Sequence, residues 1–170
     1  QNDFCPGGAL AVPNGDQVIE PLNRMAEHAK NENWLIIASR DWHPRQTAHF
    51  KEFGGKWPVH CVQNTYGSDF HSLLHLPLKT VTILKGMSNQ DDGYSPFEGL
   101  YLRTNDWPLS MGVLLINCKT LYIGGLATDY CVKAACLDAR KLGYITYLLL
   151  DACRAVDINP GDGDKATEEM

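Results

Sequence analysis

The sequence predicts an α/β fold in which a doubly wound, mostly parallel sheet is covered by helices on both faces. Four short apolar runs, rich in β-branched and aromatic residues, predict strands at Trp34–Ser39, Val81–Leu84, Leu121–Gly124 and Tyr144–Leu150. Each run is apolar on both faces, which is typical of parallel strands buried between two layers of helices. Segments with helical spacing lie between these runs, and such an alternation with short connections gives a parallel sheet.

Two segments show the spacing of amphipathic helices. The first is Asp16–Asn31, with apolar positions at Val18, Ile19, Leu22, Met25, Ala26 and Ala29. The second is Asp129–Leu142, whose apolar stripe consists of Val132, Ala135, Cys136, Ala139 and Leu142. Gly143 follows the second segment as a helix stop signal. The segment Leu102–Lys119 carries no pattern that predicts a role.

Length and composition favour one globular domain over residues 1–170. The chain is 44% hydrophobic and 21% charged, which is ordinary for a fold with a substantial core. The net charge of −5 and the lack of a basic run argue against nucleic acids and anionic membrane surfaces as partners. No apolar stretch approaches the roughly 20 residues of a transmembrane helix.

The cysteines and the chain ends give two further expectations. The six cysteines include no Cys-x-x-Cys pair, so we expect free thiols and a reducing compartment, the cytoplasm. The chain starts on a bare loop and stops in what reads as the first turn of a helix. We therefore expect that residues are missing at both ends.

Polar and reactive residues follow three of the predicted strands. Asp41 and His43 come after the first strand, Lys85 ends the second, and the segment 127–131 follows the third. Ligands of open parallel sheets bind in the crevice beyond the carboxyl ends of the strands. The sequence therefore predicts that these residues meet in one crevice.

A loop after the first predicted strand carries metal-ligand residue types. It contains Asp41 and His43 in the sequence Asp-Trp-His-Pro, followed by His49 and His60. Carboxylate and neutral imidazole ligands suit Zn, Mn or Fe(II), so one divalent ion is a candidate here. The alternative is a polar loop with incidental histidines. His71 and His75 fit a surface position better than a metal site.

The third predicted strand leads through a glycine turn into a helix that carries Cys131. Thr128 or Asp129 can cap this helix, which sets Cys131 in its first turn. A thiol there feels the positive end of the helix dipole, and Lys85 would favour the thiolate further. Free backbone N–H groups at the same turn can hold an oxyanion. The alternative is that Cys131 is simply buried behind the helix.

Taken together, these residues resemble the nicotinamidase/pyrazinamidase branch of the isochorismatase-like cysteine hydrolases. The resemblance covers nearly the whole chain and implies a three-layer, Rossmann-type arrangement of the α/β fold. Its matching segments are QNDFCPGGAL at 1–10, DWH at 41–43, WPVHC at 57–61, LKG at 84–86, DGYSPFEG at 92–99 and GLATDYCVKAACLDA at 125–139.

The resemblance implies a role for each matching position. Cys131 matches the nucleophile and Lys85 the catalytic lysine. The positions that match metal ligands are Asp41, His43 and His60, with His49 as the fourth ligand of one subgroup. Those that match the substrate pocket are Phe4, Trp57, Tyr94 and Leu126. The Leu126–Ala127 peptide matches one that is cis in the family, and the N–H groups of Ala127 and Cys131 match the oxyanion hole.

One residue of the family pattern is missing from this sequence. The third catalytic residue of the family is an aspartate two positions before the glutamine of QNDF, which would precede Gln1. Asp3 matches a different position of the same motif and does not replace it. The first strand of the family, central in its sheet, would also precede Gln1, so we expect that the sequence is part of a longer protein.

The resemblance implies hydrolysis of nicotinamide to nicotinate and ammonia through a cysteine thioester, with pyrazinamide as a second substrate and NAD salvage as the context. A divalent metal (Zn, Mn or Fe) would position the pyridine ring. Two alternatives stay open, a metal-independent amidase acting on another small amide and a non-catalytic relative that binds a small ligand. A homo-oligomer is possible, and the sequence does not decide it.

Overall fold

The structure is a computed structural model that describes residues 1–170. Its strands are β1 (Ile37–Asp41), β2 (Val81–Lys85), β3 (Leu100–Tyr101), β4 (Leu109–Ser110), β5 (Thr120–Leu126) and β6 (Ile145–Arg154). Its helices are α1 (Ile19–Asn31), α2 (Met111–Leu114), α3 (Lys133–Lys141) and α4 (Asp162–Glu169). None of these helices is both long enough and apolar enough to cross a membrane.

The predicted α/β class is confirmed, and the predicted strands pair in parallel. β1 is parallel to β2, and β5 is parallel to β6. The short strands β3 and β4 extend the first pair in antiparallel fashion. The sequence predicted one sheet, whereas the hydrogen bonds divide the strands into a sheet β1-β2-β3-β4 and a sheet β5-β6.

The strand register determines what the sheets present at their carboxyl ends. The β1–β2 ladder begins where Ile37 lies opposite Val81, and it ends where Asp41 lies opposite Lys85. The predicted strand start at Trp34 is wrong by a few residues, because the Trp34 N–H donates to the Ala29 carbonyl and so completes the end of α1. The last pair of the register therefore places a carboxylate beside an ammonium group.

Both predicted helices form, but each begins differently from the prediction. The first starts as a 3₁₀ turn over Gly15–Val18 before it becomes α1. The second starts as a π-turn over Thr128–Val132 before it becomes α3. The chain then leaves α3 through Gly143, whose φ of +89° is a left-handed conformation that glycine adopts without penalty.

The segment Leu102–Lys119, which the sequence left without a role, helps to close the core. It contains β4 and α2, and its residues Met111 and Leu115 pack against Ile83 of β2. All three side chains are buried, and Ile83 has no exposed surface. This cluster holds β2 in place, and β2 carries Lys85 at its carboxyl end.

We expect Ile83→Ala to lower the free energy of unfolding by about 2–5 kcal/mol, because it removes buried methyl groups and leaves a cavity. Urea denaturation of the purified protein measures this change. The control is Ile116→Ala, since Ile116 is 77% exposed and should change stability by less than about 0.5 kcal/mol. Equal effects of the two substitutions would contradict this description of the core.

Candidate active site

A buried ion pair lies at the carboxyl ends of β1 and β2. The Lys85 ammonium donates to the Asp41 carboxylate, and both side chains are almost fully buried. Burial opposes ionisation of Asp41, but Lys85 and His43 outweigh it and hold the pKa of this carboxyl well below its usual range. Burial likewise opposes the charge on Lys85, whereas Asp41 and Cys131 raise the pKa of the ammonium above its usual value. Both groups are therefore charged at neutral pH.

The Lys85 ammonium also contacts the predicted nucleophile. Its Nζ lies 3.3 Å from Cys131 Sγ and 2.6 Å from the carbonyl oxygen of Gly93. Together with Asp41, these contacts give each of the three ammonium protons a partner. The lysine is thus held in one orientation, with one proton directed at the sulfur.

The local structure around Cys131 differs from the capped helix that the sequence predicted. No side chain caps the π-turn, so the prediction of a Thr128 or Asp129 cap is wrong. The Asp129 carboxylate instead accepts the N–H groups of Val156 and Asp157, each at 2.9 Å. It therefore ties the loop after β6 to the turn that carries Cys131.

The prediction of a lowered thiol pKa is also not met. Burial raises the pKa of Cys131, and the nearby Lys85 ammonium and the backbone N–H of Ala127 oppose this rise without cancelling it. The thiol is therefore protonated at rest in the described chain. Forming the thiolate requires a base to accept its proton.

The backbone before Cys131 has the predicted unusual geometry. The Leu126–Ala127 peptide is cis, and the Ala127 N–H interacts with the Cys131 sulfur. The Leu126 side chain packs with Leu10 against the buried cluster of Phe4, Val12 and Ala127. Leu126 does not line the cavity, although the resemblance implies a place for it in the substrate pocket.

Three of the predicted metal ligands form a compact cluster. The ligand nitrogens of His43, His49 and His60 all lie within 4.8 Å of one another, and the three side chains are buried. Burial lowers the pKa of His60 to about 4 and also lowers that of His49, so both rings are neutral at pH 7. Neutral imidazole is the form that binds metal ions.

Each histidine of the cluster uses one ring nitrogen to hold its orientation. His43 Nδ1 donates to the Gly86 carbonyl at 3.1 Å, and His60 Nδ1 donates to the Pro58 carbonyl at 2.8 Å. His49 Nδ1 lies 2.7 Å from the Asp92 carboxylate. Because a carbonyl oxygen can only accept, Nδ1 of His43 and His60 carries a proton and Nε2 is left free to bind a metal, as in histidine metal ligands.

The cluster fits a divalent cation by two further observations. His43 Nε2 is buried and has no hydrogen-bond partner in the structure, which is costly for a polar atom unless a ligand occupies it. Asp41 Oδ2 lies 3.7 Å from His43 Nε2 and 3.9 Å from His60 Nε2, so it adds a charged oxygen to the set. His71 and His75 lie outside the cluster.

A cavity joins the cysteine to the histidine cluster. Asp41, His49, His60 and Cys131 face it, together with the predicted pocket residues Phe4, Trp57 and Tyr94. The remaining lining residues are Leu10, Val12, Asp92, Ala127, Tyr130 and Val156. The wall is thus mainly apolar, and it includes the thiol of Cys131 and the imidazoles of His49 and His60.

The sequence reasoning missed several residues of this site. Asp92 and Tyr130 line the cavity, and Asp92 also holds His49. Tyr130 could have been found from its place next to Cys131, whereas nothing in the local sequence pairs Asp92 with His49. Gln1 was also missed as a support, because its side-chain amide brackets the Asp41 backbone, accepting the N–H at 2.7 Å and donating to the carbonyl at 2.8 Å.

This chain is similar to known proteins of one family, both in sequence and in structure. The family model described as the isochorismatase domain matches residues 1–170. The nicotinamidase of Escherichia coli K12 is 39% identical, with 100% of this chain and 86% of that protein covered. The crystal structure of the pyrazinamidase of Pyrococcus horikoshii in complex with zinc is 43% identical, with a TM-score of 0.89 over 100% of this chain and 89% of that one.

A second solved structure contains nicotinate. PnC1 from L. infantum, solved in complex with nicotinate, is 32% identical to this chain with a TM-score of 0.80. The similarity covers 99% of this chain and 83% of that one. Both solved relatives therefore align with this chain over nearly its whole length.

We expect His60→Ala to weaken Zn²⁺ binding by more than about 100-fold, because it removes a direct ligand. Loss of a residue that only holds a ligand by a hydrogen bond already costs roughly 10- to 100-fold. Competition with a chromophoric chelator measures the affinity. The control is His75→Ala, since His75 is exposed and lies outside the cluster. Unchanged Zn²⁺ affinity in His60→Ala would remove His60 from the ligand set.

Proposed function

The chain belongs to the isochorismatase domain family, and we propose that it is a nicotinamidase, which hydrolyses nicotinamide to nicotinate and ammonia. One observation carries this proposal: a cysteine paired with a buried lysine shares a cavity with a cluster of three histidines. Cysteine chemistry suits hydrolysis of an amide, and a metal cluster at the same cavity suits recognition of a ring nitrogen.

The apolar wall of the cavity binds the pyridine ring. Phe4 and Trp57 line it, and Trp57 Nε1 donates to the Tyr94 hydroxyl at 2.8 Å, so two of the aromatic rings are held together. Stacking against such rings restricts the substrate to one plane. Holding the carboxamide near Cys131 in this way removes much of the entropic cost of the reaction.

The catalytic roles follow from the contacts of Cys131. In the family an aspartate is the base that takes the thiol proton, and in this chain Lys85 is placed to stabilise the resulting thiolate. The sulfur attacks the amide carbon and forms a tetrahedral oxyanion, which the N–H groups of Ala127 and Cys131 stabilise. The proton then passes to the nitrogen, the C–N bond breaks, and ammonia leaves a thioester.

Hydrolysis of the thioester completes the reaction. The same base removes a proton from water, which attacks the thioester carbon and forms a second oxyanion in the same place. Collapse of this intermediate breaks the C–S bond and returns the proton to the sulfur. Nicotinate is released, and Cys131 is again a thiol.

The metal ligands we propose are Asp41, His43, His49 and His60, which would hold one divalent ion. A bound Zn²⁺, Mn²⁺ or Fe²⁺ supplies a Lewis acid that coordinates the pyridine nitrogen, directly or through a water molecule. The zinc complex of the P. horikoshii pyrazinamidase supports zinc as the first candidate. The protein itself orients the three imidazoles, because each Nδ1 contacts another residue of the chain.

Two further features belong to this proposal. Pyrazinamide is a second substrate, which the similarity to a solved pyrazinamidase supports. Its aromatic ring is also the same size as that of nicotinamide. The cytoplasm is the proposed location, supported by six free cysteines of which four are buried. The physiological role that fits this reaction is salvage of nicotinamide for NAD synthesis.

We expect Cys131→Ala to abolish ammonia release from nicotinamide while it leaves nicotinate binding within a factor of about 3, because the ring contacts remain. A coupled ammonia assay and calorimetric titration measure the two properties. Cys118→Ala is the control, since Cys118 is a free thiol outside the cavity. Substantial turnover by Cys131→Ala would disprove the nucleophile assignment.

We expect thorough chelation to abolish turnover and added Zn²⁺, Mn²⁺ or Fe²⁺ to restore it, because the pyridine ring of the substrate is positioned by the metal ion in this proposal. The measurement is ammonia release before chelation, after it, and after each metal is returned. Protection of the buried Cys61, Cys136 and Cys153 from iodoacetamide, followed by mass spectrometry, shows that the chelated protein is still folded. Full turnover by a demonstrably metal-free protein would favour the metal-independent amidase.

A further inference from the structure

Lys56 lies just outside the cavity, against two of its aromatic walls. Its Nζ is 4.9 Å from the centroid of the Trp57 ring and 4.6 Å from that of the Tyr130 ring. The same ammonium donates to the Tyr130 hydroxyl at 2.5 Å. Lys56 does not line the cavity, so its contacts reach a bound ligand through these two rings.

The two rings come from different halves of the fold. Trp57 belongs to the loop that follows β1, and Tyr130 belongs to the π-turn that follows β5. Because β1 and β5 lie in separate sheets, no strand ladder fixes one ring relative to the other. The rings contact each other edge-on with their centroids 4.7 Å apart, and Lys56 bridges them from outside.

The backbone holds Lys56 in a defined place. The chain turns at Gly54, where φ is +94°, and at Gly55, where a Cβ would collide with the backbone of Ala48 and His49. Backbone hydrogen bonds close this loop, from the Gly55 N–H to the Phe50 carbonyl at 2.9 Å and from the Lys51 N–H to the Trp57 carbonyl at 2.8 Å. Little backbone freedom is lost when Lys56 makes its contacts.

We propose that Lys56 is a positioning residue that fixes the Trp57 and Tyr130 rings as one wall of the substrate cavity. Tyr94 completes this wall, through the hydrogen bond from Trp57 and a ring contact with Tyr130 at 5.7 Å. The inference rests on the proposed function, because it assigns the wall to binding of a pyridine ring. It adds a residue that touches neither the ring nor the reacting atoms.

The expected effect is on binding and not on chemistry. A solvent-exposed cation that lies over an aromatic ring contributes a factor of about 2–5 to an equilibrium constant. Loss of a wall contact that is equal in the ground state and the transition state raises KM and leaves kcat unchanged. We therefore expect Lys56→Met to raise KM for nicotinamide about three- to tenfold, with kcat within a factor of about 2.

Three variants separate this role from a general loss of structure. Lys56→Arg retains a cation that can cover both rings and donate to the hydroxyl, so it should restore most of the wild-type KM. Lys51→Met removes an exposed lysine of the same loop whose side chain makes no polar contact, and it should behave as wild type. Tyr130→Phe keeps the ring and removes the hydroxyl, so it should lie between wild type and Lys56→Met.

A second ligand distinguishes ring positioning from attraction of charge. Nicotinamide is neutral and nicotinate is an anion, but both present the same ring to the wall. The proposal therefore expects the Kd of nicotinate, measured by calorimetry, to rise by the same factor as the KM of nicotinamide. A rise confined to nicotinate would overturn it, because Lys56 would then act as a simple anion attractor.

The experiment also separates this inference from the proposed function. If the wild-type protein hydrolyses nicotinamide and Lys56→Met changes neither KM nor Kd, the inference is wrong and the function stands. If the wild-type protein binds nicotinate without releasing ammonia from nicotinamide, the proposed function fails, and the Kd comparison alone decides the role of Lys56. A protein that neither turns over nicotinamide nor binds nicotinate would overturn both.

Discussion

The buried contact between Asp41 and Lys85 is the interaction on which the rest of the site depends. Parallel pairing of β1 and β2 ends with these two residues opposite each other, so the strand register itself brings the charges together. A buried ion pair is favourable only when every remaining donor and acceptor finds a partner. Lys85 satisfies this through Gly93 and Cys131, while Asp41 turns its second oxygen toward His43 and His60. One ion pair thus orients both the nucleophile and part of the metal cluster.

Two glycines make room for this arrangement. Gly86 has a φ of +64°. A Cβ there would collide with the His43 ring, whose Nδ1 donates a hydrogen bond to the Gly86 carbonyl. Gly93 also has a φ of +64°, and a Cβ there would collide with the backbone of Gly86. The two loop segments can therefore cross closely enough for one carbonyl to hold His43 and the other to hold Lys85.

Much of the fold and part of the site could be predicted from the sequence, because both depend on local pattern. Apolar runs mark strands, and the residues that follow them share one edge of a parallel sheet, which grouped Asp41, Lys85 and Cys131 correctly. The pKa of Cys131 could not be predicted, since it depends on how far burial outweighs the Lys85 charge. The contact between Asp92 and His49 was equally hidden, because it joins two loops that no periodic pattern connects.

Recognition and chemistry depend on residues that are held in place in different ways. The reacting groups, Lys85 and Cys131, are held at the ends of β2 and β5 by backbone register and a π-turn. The ring-binding wall is held by side-chain contacts among Trp57 and Tyr94, which lie on loops, and Tyr130 of the π-turn. Side chains on loops can change without disturbing a strand register. The wall can therefore adapt to related rings while the ion pair and the nucleophile stay in place.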